Sequence, residues 1–308
     1  MASKDDEMRL TVSWDKNGLC PCTSGINYSE CCAGIDGFPA PKKYNLTPPN
    51  EITGIVNNNC FLSLDQNCSE RISREHYISE AVLKQFDGLW IEGAPWLKKG
   101  EQKNYTTKAL ASKILCERHN SALSSLDEIA KMSFSNLREA NAYATKKTLS
   151  KKTKYFIVDG HGLELWALKT MLGLYNAKIF QSENRRISSD YDFNYKKIYK
   201  SFLAGRFEPP LGLHIGTEVG KFVKNRIGFH PLLNEEYKII SGMIINIFGT
   251  YFYFIFDTLG LAQNRLISNS NYRPWVIDIM GGKHKSRIIL PWNKGATSPR
   301  RMAVQLAK

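Results

Sequence analysis

LCERHNSALSSLDEIA, residues 115–130, is the stretch on which the reading of this chain turns. Leu123, Leu126, Ile129 and Met132 recur at helical spacing, so a helix is expected here. Asn120 stands at its start. Asp127 lies two turns further on, where it can face the same cleft as a residue near the helix start. Cys116 and His119 have the spacing of half a metal knuckle, and Asn120 directly follows that pair.

Upstream, Cys60 and Cys68 supply two more sulfurs, so that Cys60, Cys68, Cys116 and His119 make a full tetrahedral set for structural zinc. Read blandly, the same three cysteines are small buried hydrophobes. Between the two halves of the set, SREHYISEAVL places Glu75 and His76 at the end of a short strand-like run. Phosphodiester hydrolysis needs a general base for water, a hard cation on the scissile phosphate and a group that orients the base. Histidine titrates near neutrality and suits the first task, a carboxylate suits Mg²⁺, and an Asn carbonyl can hold an imidazole by its second nitrogen. The bland alternatives are a surface Glu-His pair, an Asn helix cap and an amphipathic helix.

Residues 58–132 resemble the HNH endonucleases, whose ββα-metal unit is often braced by a zinc knuckle. The resemblance rests on the acid-His pair, the Asn after the knuckle and the acidic residue on the helix. It implies His76 as general base, Glu75 as metal ligand or support, Asn120 as the group orienting the base, and Asp127 as ligand of a catalytic divalent cation, Mg²⁺ or similar. Here the second knuckle half is Cys-x2-His rather than Cys-x2-Cys. Asp127 stands where many members carry histidine, with Glu128 as the alternative carboxylate.

Near the N-terminus, GLCPCTSGINYSECCAG has the spacing Cys-x-Cys-x8-Cys-Cys, and Cys20, Cys22, Cys31 and Cys32 can converge on one Zn²⁺. Gly25 allows a tight turn, and Ser24 can hydrogen-bond a thiolate. The segment resembles the SEC-C motif, a zinc knuckle appended to many bacterial proteins. Cys20, Pro21, Cys22, Ser24, Gly25, Tyr28, Cys31 and Cys32 match its usual form, and Thr23 replaces a glycine. In that family the knuckle is an adaptor for protein or nucleic acid.

These segments suggest three parts: a knuckle in 1–38, a nuclease domain in 52–148, and an α+β domain in 155–308 for recognition or a partner. PKKYNLTPPNE and TKKTLSKKTK read as the boundaries. In the last part, Leu163, Trp166, Leu168, Met171, Leu172 and Leu174 give a helical pattern, and the strand-like runs beyond about 210 suggest an antiparallel sheet. IISGMIINIFGTYFYFIF, 239–256, reads as two antiparallel strands about a turn at Gly249-Thr250 rather than as a membrane span. Asp159, His161 and Glu164 read as a polar turn and helix start in preference to a metal site. His214 and His230 read as structural or surface residues. His284 falls in a basic loop, GGKHKSR, solvated or in reach of phosphate. Lys/Arg pairs at 185–186, 196–197 and 300–301 could guide nucleic acid.

The 308 residues carry a formal charge of +13, which favours a polyanionic partner because Lys and Arg release counterions from phosphates. No apolar signal segment opens the sequence, so seven cysteines point to metal binding in a reducing, cytoplasmic setting. The expectation is an α+β protein that cuts DNA, or alternatively RNA, with a protein partner at the knuckle or the C-terminal part and no membrane. An appended HNH unit resembles components of restriction or antiphage defence. The rival expectation is a zinc-binding adaptor that binds without cutting.

Overall fold

A computed structural model of the chain describes residues 14–34, 38–88, 90–92, 97–98, 101–146, 152–182, 185–187, 190–216, 227–260, 270–281, 284–293 and 298–305. The fold is α+β. A knuckle with a one-turn helix α1 (Tyr28–Cys31) precedes strand β1 (Ile72–His76), the short α2 (Glu80–Leu83), and a small ladder of β2 (Trp90–Glu92) and β3 (Gln102–Asn104). Strand β4 (Ala111–Cys116) pairs antiparallel with β1 and runs directly into α3 (Glu117–Ala144). Next come β5 (Thr153–Ile157), α4 (Gly160–Asn176), the two-residue strands β6 (Gln181–Ser182) and β7 (Arg185–Arg186), and α5 (Tyr195–Ala204). Eight strands follow: β8 (Gly212–Gly216), β9 (Ile227–Asn234), β10 (Ile239–Ile247), β11 (Thr250–Ile255), β12 (Ser270–Tyr272), β13 (Pro274–Gly281), β14 (His284–Ile289) and β15 (Ser298–Gln305).

The helix expected around Leu123 is α3, and its buried residues Leu123, Leu126, Ala130, Phe134, Leu137, Ala140 and Ala144 recur every three or four positions. The two terminal alanines let a sheet approach closely. Ser286 Oγ donates to the Ala140 carbonyl at 2.8 Å, and a Cβ on Gly281 would stand 2.5 Å from the Ala144 oxygen. Helix α4 has no polar face; every residue from Gly160 to Leu174 is buried. It lies against α3 on one side and against α5, β8 and β11 on others, with its buried charges Glu164 and Lys169 paired inside.

Asp159 caps α4, accepting from the Gly162 N–H at 3.0 Å, and the Tyr44 hydroxyl donates to the same carboxylate. Glu164 is answered by the fully buried Arg273 through two bonds of 2.8 and 2.9 Å, a bidentate pair. His161 is buried edge-on to Trp292. These three residues therefore belong to a polar turn and helix start.

Strands β12-β8-β11-β10-β9 form the expected antiparallel sheet. The second sheet, β15-β13-β14-β5, is mixed: β15 runs parallel to β13, and β5 parallel to β14. Parallel neighbours need long crossovers, and β5 is separated from β14 by α4, α5 and the whole first sheet. Residues 239–256 do form paired strands. Their turn is Phe248-Gly249, one residue earlier than expected, with φ of 53° and 84° as a two-residue turn of the I′ kind requires. Among the described residues no helix is long and apolar enough to cross a membrane. One continuous hydrophobic core runs from Leu46 to Val304, so the segments on either side of 145–154 share it.

Candidate metal centres and candidate active site

Cys60, Cys68, Cys116 and His119 meet in one buried cluster where β4 passes into α3. His119 Nδ1 lies 3.4, 3.7 and 3.2 Å from the Cys60, Cys68 and Cys116 sulfurs. Donors about 2.3 Å from a common tetrahedral centre stand about 3.8 Å apart, so the set fits a metal such as zinc. The other imidazole nitrogen, Nε2, lies 2.8 Å from Asp65 Oδ2, which fixes the ring and leaves Nδ1 facing the sulfurs. Asp65 arrives on a one-turn helix between Cys60 and Cys68 that ends at Gln66 in the left-handed region.

Cys116 also caps α3: its Sγ accepts from the His119 N–H at 3.4 Å. Burial raises its thiol, but bonds from the His119 and Ser69 backbones outweigh that and bring it down to about 7. A helix N-terminus favours the resulting thiolate. The helix therefore begins at Glu117, and Asn120 lies within its first turn, not at the cap.

The knuckle sulfurs of Cys20, Cys22, Cys31 and Cys32 form the second cluster, with Cys22 and Cys32 3.4 and 3.7 Å from Cys31. Hydrogen bonds from Cys20 and Cys32 push Cys22 far below the ordinary thiol range, while Cys20 and Cys22 push Cys32 far above it. Thiols this close share one negative charge unless a cation joins them. Ser24 Oγ lies 3.1 Å from the Cys31 sulfur, as expected of a supporting donor. Trp14 stacks on Tyr28 with ring centroids 5.2 Å apart, and Ile157 packs beside them, so the knuckle is docked on β5.

Thr23 has φ of 65°, a region that suits glycine and strains a β-branched residue. Thr23→Gly is expected to raise stability by about 1 kcal/mol. Urea denaturation of the metal-loaded protein checks it, and an unchanged or lower midpoint counts against strain at this turn.

Around the first cluster the expected catalytic residues separate into two groups. Glu75 turns inward from β1, and Asp127 from α3, onto the ammonium of Lys169 of α4. Lys169 Nζ is 2.8 Å from Glu75 Oε1 and 2.8 Å from Asp127 Oδ2. Ser79 Oγ donates to Asp127 Oδ1, and Trp166 Nε1 donates to Ser79 Oγ at 2.6 Å. Burial raises the Glu75 carboxyl against the pull of Lys169. In Lys169 the two carboxylates outweigh burial and raise the ammonium. Three carboxylate oxygens are thus engaged by protein donors, and the residues do not fit the catalytic divalent cation expected at Asp127. The alternative, Glu128, is exposed and pairs with Lys131 at 3.0 Å.

His76 and Asn120 are not brought together. Strand register sets His76 opposite Ala111 and Ile72 opposite Cys116. About 13 Å of strand therefore lies between His76 and the end of β4 from which Asn120 follows. No hydrogen bond joins Asn120 to His76 among the described residues. Alternation along β1 also turns His76 to the face opposite Glu75, where Arg74 is exposed. Its Nε2 is buried without a hydrogen-bond partner among the described residues.

No family model, curated protein or solved structure matches the chain.

The remaining sequence candidates resolve by burial. His284 begins β14 and is buried edge-on to Tyr143, with no place in a solvated or phosphate-binding loop. His214 is buried in β8, where desolvation lowers its imidazole to about 4; His230 is exposed. Lys197 pairs with Asp257 at 3.2 Å, and the side chains at 185–186 and 300–301 lie outside the described residues. Asp65, Ser79, Trp166 and Lys169 were missed. Lys169 and Trp166 sit inside an apolar helical pattern, and nothing adjacent in sequence marks Asp65 as a partner of His119.

Proposed function

We propose that the chain is a zinc-braced nuclease of the HNH kind, acting on DNA with His76 as general base. The observation that carries this reading is the β1–β4–α3 unit. In it a Cys3His cluster pins the strand-to-helix junction while His76 sits at the far end of β1 with an unpartnered, buried Nε2. An imidazole nitrogen that no protein group engages is the atom that would accept the proton of an attacking water. The +13 charge supports a phosphate-bearing substrate. Zinc at both cysteine clusters is structural in this reading, and no ion is assigned to Asp127. The SEC-C-like knuckle docks a partner, and restriction or antiphage defence is the setting the architecture suggests.

A second reading, a zinc protein that binds nucleic acid without cutting it, is favoured by Lys169. Its ammonium already sits between the two carboxylates that a nuclease metal would use. Plasmid cleavage with Mg²⁺ or Mn²⁺ supplied separates the two. Wild-type protein is expected to cut, and His76→Ala to lose roughly 10²- to 10⁴-fold in rate. A wild type that shifts DNA on a gel yet never cuts it, or a His76→Ala variant as active as wild type, removes the catalytic reading.

A further inference from the structure

We propose that the solvent face of the β1–β4 ladder is a docking surface for duplex DNA, with Arg74 and Lys113 as its phosphate contacts. Arg74 and Lys113 are exposed, and the register shift between Ser73 and Glu75 sets Lys113 and the buried Ile114 opposite Arg74. Arg74 Nη2 donates to the Lys108 carbonyl at 3.3 Å, which steadies the guanidinium and leaves its other donors for a ligand; Lys108 itself is exposed. None of these three cations has an ion pair among the described residues. The acids at the margins are Glu70 and Glu117, exposed near the Ile72 end, and Glu80, held by Lys84 and Thr107 at the other. Glu75 faces the opposite way, onto Lys169.

A protein of net charge +13 thus leaves unneutralised cations on a two-stranded ladder. Shape selects the occupant. A two-stranded ribbon fits the major groove of B-form DNA, whereas the major groove of A-form RNA is too deep and narrow for side chains to enter. The surface rests on the nucleic-acid reading above and deepens it, because His76 lies on the same strand face as Arg74.

The test is fluorescence anisotropy with a labelled DNA duplex, without divalent ions so that binding is read apart from cleavage. Arg74→Gln with Lys113→Gln is expected to weaken binding at least ten-fold. It should also lower the slope of log K against log salt by roughly 2, about 0.9 for each lost phosphate contact. Lys178→Gln with Lys200→Gln, both exposed and outside the ladder, is the control and leaves both values unchanged. Duplex RNA is expected to bind more weakly and without sensitivity to the Arg74 and Lys113 changes. Equal losses in the two double variants, an unchanged salt slope, or wild-type protein that binds no duplex overturns the surface. If His76→Ala and wild type bind alike and neither cuts, the surface stands and only the catalytic reading falls.

Discussion

Cys116→Ala is expected to abolish cooperative folding of the β1–β4–α3 unit and to halve the zinc content, from about two ions per chain to one. Structural zinc contributes on the order of 10–16 kcal/mol in small zinc-binding folds, as much as or more than the whole stability of a typical protein. Cys116 is the worst position to lose, because its sulfur is both a cluster donor and the acceptor that caps α3. The alanine variant leaves three ligands, one short of a tetrahedral site, and frees the first-turn N–H of His119. Metal analysis and thermal unfolding by circular dichroism read both effects. Cys22→Ala, in the knuckle, is expected to lose the other ion and leave the main unfolding step in place, since the knuckle's own cluster is separate from the main core. Wild-type protein that carries no zinc, or a Cys116→Ala variant that melts like wild type, would contradict the metal-braced junction.

Lys169→Met is expected to cost about 3 kcal/mol, towards the lower end of the range for breaking a buried ion pair, because the Asp127 side chain is still 27% exposed. What remains is Glu75 facing Asp127 without a cation, and water reaches only one of them. The pH dependence distinguishes this cause from lost packing. A carboxyl whose folded-state pKa is raised holds its proton more tightly when folded, so stability falls as pH climbs from the unfolded value through the folded one. Burial already raises Glu75, and loss of the ammonium raises it further. The variant should therefore be weakest near neutral pH and recover towards pH 4.5, and Glu75→Gln added to Lys169→Met should restore much of the loss at pH 8. Urea midpoints at the two pH values measure it; a deficit independent of pH, with no rescue, assigns the effect to packing alone.

Both predictions bear on what the sequence made visible. Metal donors were legible because a thiolate cluster needs close spacing on at least one side, and Cys-x-Cys, Cys-Cys and Cys-x2-His all show it. The strand carrying Glu75 and His76, helices α3 and α4, and the β10–β11 pair were legible from periodicity and turn residues. The side on which each polar group stands was not. Adjacent residues on a strand point to opposite faces, so Glu75 and His76, neighbours in sequence, part company in space. Lys169 was hidden because a buried ammonium looks, in sequence, like an exposed one on an amphipathic helix. The mixed sheet was hidden because parallel pairing between β5 and β14 joins segments far apart in the chain, and no local pattern encodes it.

Helix α4, sealed on every side, also sets how the molecule can come apart. It is shared by the β1–β4–α3 unit and by the strands behind it, and one continuous core runs through both. Cutting the chain between α3 and β5 would leave two pieces, each displaying the oily flank meant for the other. They have every thermodynamic reason to stay clasped rather than to lead separate lives. Modularity, suggested by the beads-on-a-string look of the sequence, stops at the small knuckle.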